Sequence, residues 1–434
     1  MDQYQFNSLA KRLKKIDFLF LKNLYYFRCL TIHQSWDLCY RLVGIDIKTF
    51  IRKRIVPFSK LELLSIEHNG KDYALQIKNK GIEILQYTGS LNNDFFDIET
   101  KKLRTGILKE GAIRLQPKFM NHQIHLNQFV IDFNKLYRKQ KEYFVENYTY
   151  FDEKFMSKYT FIRPDGMISL NKLDLFLEMD MGTESKKQLI DKWTNYRMAI
   201  NSSQIKTEDA KIIVLFILDC PKAKLQTRKN IIRYTIDQTL IDDYIDRFDI
   251  YIGTKDELLE TLFQKILPIY FNSYFFDNSV MNQLIARKHG FVAGDGGKLK
   301  KVFFNASYAY YIRMINEKNR IRIIDKKIQE YLFDEYLYSP MAVLNKIVYH
   351  DKHSTLFHLY YKRHIGYIVL VESEQDMFND LRVINQVNPA GVYFTTIKRL
   401  ASRDFYEALY QYDEHGDIYH FTDYSLTDKV KEKL

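Results

Sequence analysis

The chain has 434 residues, of which 46% are hydrophobic and 27% charged, a composition that excludes a disordered chain and predicts an ordered protein with two or three domains. No apolar run is long enough to cross a membrane, and the first residues lack the apolar segment of a signal peptide. Its three cysteines have no paired spacing, which fits a reducing compartment. The sequence therefore predicts a cytoplasmic protein without a membrane partner.

The formal net charge of +11 is unevenly distributed. Residues 1–60 contain twelve Lys or Arg against four Asp. Such a concentration of positive charge indicates a polyanionic partner, because phosphate neutralisation dominates non-specific affinity for nucleic acids. The alternative is a solvated basic surface without a partner.

Three helices are predicted at the start of the chain. Residues 8–29 carry apolar side chains at helical spacing, Thr31 is placed to cap a second helix, and a third helix follows Gly44. The polar side of the third helix carries a basic cluster of four residues: Lys48, Arg52, Lys53 and Arg54. Consecutive residues spread over a wide arc of a helix, so only one or two of them could face bases and the others would meet phosphates.

A β-hairpin is predicted after the third helix. The segments "LELLSIEHNG" and "DYALQIKNKGIEIL" alternate in polarity and are joined by a turn at Asn69-Gly70. Three helices followed by a hairpin is the arrangement of a winged helix-turn-helix, whose third helix enters the major groove while the wing contacts phosphates. We therefore predict a DNA-binding domain over residues 1–88 that contacts DNA through the four basic residues. A winged helix used for protein contact is the alternative.

A central α/β domain is predicted over residues 121–268, after a polar linker at 89–120. A helix, "NHQIHLNQFVIDFNKLYRKQKEYF", precedes two strands, "KYTFIRPDGMISL" and "KLDLFLEMDM". The next helix has a regular apolar stripe: Leu189, Trp193, Tyr196 and Ile200. Further alternation of strands and helices predicts a mixed sheet.

Carboxylates converge on the two predicted strands. Asp165 lies at the turn before one strand, and Glu178 and Asp180 share a face of the other because side chains alternate with period two. Oxygen ligands of this kind suit Mg²⁺ or Mn²⁺, which would polarise a phosphoryl oxygen, while Lys192 would offset developing charge. We predict Asp165, Glu178 and Asp180 as metal ligands and, with Lys192, as catalytic residues. Alternatively, Glu178 and Asp180 are structural and pair with Arg163 or Lys192.

This pattern resembles the PD-(D/E)xK nuclease fold. Pro164-Asp165 would be its first element and Glu178-Met179-Asp180 its second. That superfamily has a lysine two residues after the Glu, where Asp180 stands here, and Lys192 on the following helix would take its place. The resemblance implies metal-dependent phosphodiester hydrolysis, although related folds have also kept only binding.

The order of motifs along the chain is more specific. A winged helix is followed by "HQIHLNQFVIDF", Pro-Asp, "FLEMDMGTES" and "DKWTNY". Over roughly residues 10–260 this resembles the replication-relaxation family of plasmid and mobile-element proteins. The resemblance implies replication initiation or relaxation of supercoiled DNA, with duplex DNA as partner and with single-stranded DNA and a second copy of the chain as further candidates.

Three functional hypotheses follow from these patterns. The first is a DNA-binding protein that also nicks DNA as a metal-dependent endonuclease. The second is a non-catalytic initiator or transcriptional regulator, whose nuclease-like domain only binds DNA or partners. The third is a restriction-type or defence nuclease. Cleavage of bound plasmid separates the first hypothesis from the second.

The last region, residues 269–434, is predicted as a further α/β region of unknown role. The segment 307–336 is predicted as a helix, and its basic and aromatic residues would suit single-stranded DNA or core packing equally. His122 and His125 lack the spacing of a His-hydrophobic-His metal motif. The histidines from His350 to His364 are predicted at the surface and at strand edges.

Overall fold

The computed structural model describes these residues: 9, 12–70, 72–91, 93–97, 102–140, 147–159, 162–170, 172–202, 210–240, 248–268, 280–295, 310–314, 323–324, 327–328, 330–336, 340–361, 365–372, 374–384, 391–413 and 415–420. The chain is a mixed α/β protein with several sheets, as the sequence predicts. It divides into two compact units. The first unit consists of Met1–Thr183, Leu215–Cys220 and Gly253–Leu259, and the second of Glu184–Val214, Pro221–Ile252 and Glu260–Leu434.

The first unit begins with three helices and a small sheet. In chain order these are α1 (Lys15–Phe27), β1 (Leu30–Thr31), α2 (32–43), α3 (47–60), β2 (Leu64–Asn69) and β3 (Asp72–Ile77). The three strands pair antiparallel in the order β1-β3-β2. The predicted three helices and hairpin are therefore present in the predicted order.

Local capping explains where these helices begin. The Thr31 hydroxyl accepts a hydrogen bond from the Gln34 amide at 3.1 Å, which confirms the predicted cap. The carboxylate of Asp46 accepts one from the Thr49 amide at 2.9 Å, directly after the turn at Gly44 (φ +73°). The prediction of a second hairpin strand running to residue 85 was wrong. That strand ends at Ile77, and its continuation forms a new helix.

Buried aromatic rings hold the three helices together. The ring of Phe20 on α1 lies 5.6 Å from Tyr40 on α2 and 5.5 Å from Phe50 on α3, centroid to centroid. Tyr40 and Phe50 are 4.4 Å apart, and all three side chains are fully buried. Edge-to-face and tilted contacts of this kind add to the stabilisation from burial. The opposite side of α3 is left facing solvent.

The rest of the first unit runs into a larger sheet. Its elements are α4 (Asn79–Tyr87), β4 (Asn93–Asp97), β5 (Lys102–Gly106), α5 (Glu110–Ile113), α6 (Pro117–Lys139), β6 (Thr149–Asp152), β7 (Gly166–Leu170) and β8 (Leu173–Asp180). The stretch predicted as an irregular linker thus contains the β4–β5 hairpin. Strands β6, β7 and β8 pair antiparallel, with Gly166 opposite Leu177.

The middle of the chain is shared between the units. It contains α7 (Lys186–Asn201), β9 (Lys211–Leu218), α8 (Lys222–Leu240), β10 (Phe248–Thr254) and α9 (255–266), and the five-stranded sheet has the order β10-β9-β8-β7-β6. In the second unit, Trp193 on α7 donates to the Thr235 hydroxyl on α8 at 3.0 Å. The predicted apolar stripe of α7 is fully buried, and Ser185 caps the helix.

The second unit also contains a seven-stranded sheet of order β11-β12-β15-β16-β17-β18-β19. Its strands are β11 (Phe291–Asp295), β12 (Tyr310–Met314), β15 (Glu330–Glu335), β16 (Gly366–Leu370), β17 (Val392–Thr395), β18 (Tyr410–Tyr412) and β19 (Ile418–His420), with a separate pair, β13 (Ile323–Ile324) and β14 (Lys327–Ile328). Its helices are α10 (Val280–Lys288), α11 (Pro340–Tyr361), α12 (Glu374–Val383), α13 (Ile397–Ser402) and α14 (Phe405–Ala408). No described helix is long and apolar enough to span a bilayer.

Two sequence predictions for this region were wrong. The segment 307–336 was predicted as a helix, but its described parts form the four strands β12 to β15, of which β12 pairs with β15 and β13 with β14. His350 was predicted at the surface, yet it is buried on α11 and its Nε2 lies 3.1 Å from the carbonyl oxygen of Ile365. The side chains of His353, His358 and His364 lie outside what the structure describes.

Candidate functional site

Helix α3 presents a one-sided basic surface. Phe50 and Ile55 are buried against the helical core, while Lys48, Arg52 and Lys53 are exposed. Within the described residues, no carboxylate forms an ion pair with any of these three side chains. We call Lys48, Arg52 and Lys53 the α3 basic face. Its charges are available to an external anion.

Arg54, the fourth predicted DNA contact, has a different environment. Its Nε donates to Oδ1 of Asp17 at 2.6 Å, and Asp17 is fully buried on α1. The same carboxylate oxygen accepts the Tyr40 hydroxyl at 2.7 Å, and the other oxygen accepts the Lys14 amide at 2.8 Å. The ion pair between Arg54 and Asp17 therefore links α3 to α1.

Arg28 also uses its charge inside the protein. Its guanidinium lies 2.7 Å from Glu153 and 3.4 Å from Asp152, both at the end of β6, and it is 5% exposed. Asp152 accepts a further hydrogen bond from Gln123 on α6 at 3.0 Å. Burial raises the pKa of Asp152 to about 6, although Arg28 acts in the opposite direction. Part of the basic excess of the N-terminal region is thus structural.

The β2–β3 hairpin is anchored along one side and exposed at its tip. Glu67 pairs with Arg114 at 2.9 Å, and Asn69 donates to Asn121 on α6 at 2.6 Å. Tyr73 is half exposed on the outer side. A hairpin fixed in this way can present its exposed edge to a partner without first becoming ordered.

The predicted carboxylates lie at one end of β7 and β8. The pairing of β7 with β8 ends at Gly166 opposite Leu177, and Asp165 and Glu178 are the next residues on the two segments. Oδ2 of Asp165 accepts the Met179 amide at 2.8 Å. Glu178 and Asp180 are 3% and 1% exposed. Asp165 therefore contacts the β8 residue that follows Glu178, and the metal-binding role of these acids stays a prediction.

Asp180 also has a local structural role. Its Oδ1 accepts the Gly182 amide at 3.0 Å, where the chain turns with φ +73°, and its carbonyl accepts the Asp219 amide at 2.8 Å. In the part of the chain that the structure describes, no three or more His, Cys, Asp or Glu side chains group closely enough to hold a metal ion.

The predicted basic partners of these acids have other contacts. Nζ of Lys192, in the second unit, lies 3.0 Å from Oε1 of Glu184. Arg163 donates to the backbone carbonyl of Glu153 at 3.2 Å. The predicted roles of Lys192, as a catalytic group or as a structural partner, remain predictions.

Two histidines that the sequence set aside lie beside the acids. Nε2 of His122 is 3.2 Å from Oδ2 of Asp165 and 3.0 Å from the carbonyl oxygen of Met179. Nδ1 of His125 is 2.7 Å from Oδ2 of Asp219, just after β9. The spacing of three residues puts both histidines on one side of α6, and this was the available signal. The spacing differs from that of a His-hydrophobic-His metal motif.

The comparisons with known proteins agree with the motif order. Neither the curated proteins nor the solved structures gave a match. The replication-relaxation family model matches residues 21–215, a little under half of the chain. That range includes the α3 basic face, both α6 histidines and all the predicted catalytic residues, while Asp219 lies just beyond it. Over residues 21–215, the chain is thus similar to the replication-relaxation family.

Proposed function

We propose that the protein acts in replication or relaxation of a plasmid or mobile element by binding duplex DNA through α3. The helices α1 to α3 and the β2–β3 hairpin would form a winged helix-turn-helix. In that arrangement the third helix enters the major groove and the wing contacts the backbone. The family match supports the replication or relaxation setting.

The α3 basic face is the observation that carries this proposal. Lys48, Arg52 and Lys53 are exposed and lack carboxylate partners among the described residues, while the opposite side of the helix is buried. Exposed Lys and Arg side chains without a carboxylate partner can replace their contacts with water by contacts with DNA phosphates, which releases the counterions bound to the DNA. Arg54 is left out of the contact set because Asp17 holds it.

The test is the affinity of the full chain for duplex DNA, measured by fluorescence anisotropy. The double variant Arg52→Ala/Lys53→Ala should bind at least about tenfold more weakly, since each phosphate or base contact contributes on the order of 1 kcal/mol. Lys222→Ala/Lys224→Ala removes the same charge from exposed positions on α8 and should bind like the wild type. Equal affinity of all three proteins would refute the proposal.

A second candidate function, phosphodiester cleavage, is favoured by the contact of Asp165 with the backbone amide of Met179, the residue that follows Glu178. Two carboxylates with water and phosphate are a common Mg²⁺ environment. We propose that Asp165 and Glu178 would hold Mg²⁺ or Mn²⁺, which would polarise a phosphoryl oxygen of the DNA. Asp180 would keep its turn contacts with Gly182.

Cleavage is tested with supercoiled plasmid and Mg²⁺ or Mn²⁺. The wild type should convert supercoils to open circles, and Asp165→Ala and Glu178→Ala should bind DNA without cutting it. Glu260→Ala, an exposed carboxylate on α9, is the matched control and should cut normally. DNA that is bound but never cut by the wild type would instead support the non-catalytic initiator or regulator.

A further inference from the structure

Helix α6 brings two histidines to the strand end that carries the predicted carboxylates. His122 contacts Asp165, and His125 contacts Asp219. The backbone amide of Asp219 donates to the carbonyl oxygen of Asp180 at 2.8 Å, so the ends of β8 and β9 lie side by side. The His125–Asp219 pair is therefore attached to the same edge of the sheet as the proposed cleavage site.

The geometry of His125 differs from that of His122. The Nε2 atom of His122 faces both a carboxylate and the Met179 carbonyl, so that atom is engaged. His125 instead uses Nδ1, which lies 2.7 Å from the Asp219 carboxylate. A carboxylate accepts hydrogen bonds, so the proton of the neutral imidazole sits on Nδ1 and the lone pair on Nε2.

The side chain of His125 is partly exposed to solvent. The side chains of His125 and Asp219 are 45% and 44% exposed. Across the described residues, no hydrogen bond or ion pair engages Nε2 of His125. A carboxylate that fixes Nδ1–H and leaves Nε2 open to a reactant is the arrangement that makes histidine an effective proton acceptor.

We propose that His125 is the general base of phosphodiester cleavage at this edge, an inference that rests on the cleavage function proposed above. Nε2 takes one proton from a water molecule as the water oxygen forms a bond to phosphorus. The bond from phosphorus to the leaving deoxyribose oxygen breaks, and that oxygen takes a proton from solvent. Asp219 is a positioning residue that holds the tautomer and the ring orientation.

A purely structural pair makes different predictions. An exposed His–Asp ion pair contributes at most about 1 kcal/mol to stability, and its removal would leave the chemistry intact. If His125 is the general base, His125→Ala should lower the nicking rate by about 10²–10⁴-fold, which is the usual contribution of general base catalysis. DNA affinity should stay within about twofold, because the α3 basic face is unchanged.

The experiment measures single-turnover nicking of supercoiled plasmid with Mg²⁺ or Mn²⁺ by the full chain. Added imidazole should restore part of the rate of His125→Ala, because a free base can enter the vacated space, whereas imidazole cannot repair a structural defect. His33→Ala removes an exposed histidine from α2 and should cut and respond to imidazole like the wild type. Loss of cleavage without imidazole rescue would overturn the proposal.

Asp219→Asn tests the positioning role. An asparagine amide can donate to Nδ1 and so favours the tautomer with its proton on Nε2, which cannot act as a base. The variant should lose activity, but the double variant His125→Ala/Asp219→Asn should be no slower than His125→Ala alone. Additive losses in the double variant would contradict a role that acts through His125.

The outcomes of these experiments distinguish the assignment of His125 as the base from the proposed cleavage and DNA-binding functions. If the wild type binds plasmid and never nicks it, both the cleavage function and the base assignment fail while DNA binding stands. If the wild type nicks and Asp165→Ala does not, but His125→Ala nicks at the wild-type rate, only the base assignment fails. Nicking lost in His125→Ala and partly restored by imidazole supports it.

Discussion

Arg54 on α3 donates to the buried carboxylate of Asp17 on α1 across 2.6 Å. The two residues are 37 positions apart, and the contact is partly buried, with the Asp17 side chain fully buried and the Arg54 side chain 20% exposed. Three neighbouring cations on the same helix face solvent. Of the four basic residues on α3, Arg54 therefore stabilises the fold, and we assign Lys48, Arg52 and Lys53 to DNA binding.

Arg54→Ala should therefore destabilise the protein. Removing the guanidinium leaves the Asp17 charge buried with only the Tyr40 hydroxyl and the Lys14 amide, and we expect a loss of about 3 kcal/mol in the free energy of unfolding. Urea denaturation followed by circular dichroism measures the change. Arg52→Ala, two residues away and exposed, should stay within about 0.5 kcal/mol of the wild type. Equal stability of the two variants would mean that the Asp17 contact contributes little.

The pH dependence of stability tests the buried Asp152. Burial raises its pKa to about 6 from a usual value of 3.8, so the folded state binds a proton more tightly than the unfolded state does. The contribution of Asp152 to the free energy of unfolding is therefore fully present below about pH 4. It is lost as the pH rises to about 6, and the protein is then less stable by roughly 2–3 kcal/mol. Asp152→Asn does not titrate and should lack this loss.

The measurement for Asp152 is the free energy of unfolding at a series of pH values for both proteins. The difference between wild type and Asp152→Asn should shift in favour of the variant between pH 4 and pH 6. Parallel profiles would show that Arg28, which lies 3.4 Å away, fully offsets the burial of the carboxylate.

Local signals made the helices, the hairpin turn and the capping residues predictable. Thr31 and Ser185 lie three residues before their bonding partners, and the periodicity of α7 is visible within one window of sequence. Such features depend on neighbours in the chain. Cys29 and Cys39, which have no paired spacing in the sequence, are both fully buried.

Long-range contacts could not be predicted in the same way. Arg54 and Arg28 looked like available cations, but their partners lie 37 and more than 100 residues away. His125 and Asp219 are likewise joined only by the packing of α6 beside β9. The sequence of strands β12 to β15 predicts a single helix, because short apolar segments among charged residues do not distinguish a helix from strands.

The burial of two thiols leads to a prediction about alkylation. Burial raises the pKa of Cys29 and of Cys39 to about 12, and the thiolate is the reactive form. Iodoacetamide at pH 8 should modify the half-buried Cys220 on the order of 100-fold faster than either. Peptide mass spectrometry measures the three rates, and urea-denatured protein, in which all three should react alike, is the control. Rapid native modification of Cys29 would show that the α1–β1 region opens readily.

Salt dependence tests the role of the α3 basic face most directly. The affinity of the full chain for duplex DNA is measured from low to high salt for the wild type, Arg52→Ala/Lys53→Ala and Lys222→Ala/Lys224→Ala. If Arg52 and Lys53 neutralise phosphates, the slope of log affinity against log salt should become shallower by about 2 in the first variant and stay unchanged in the second. The same slope in all three proteins would contradict DNA binding through α3.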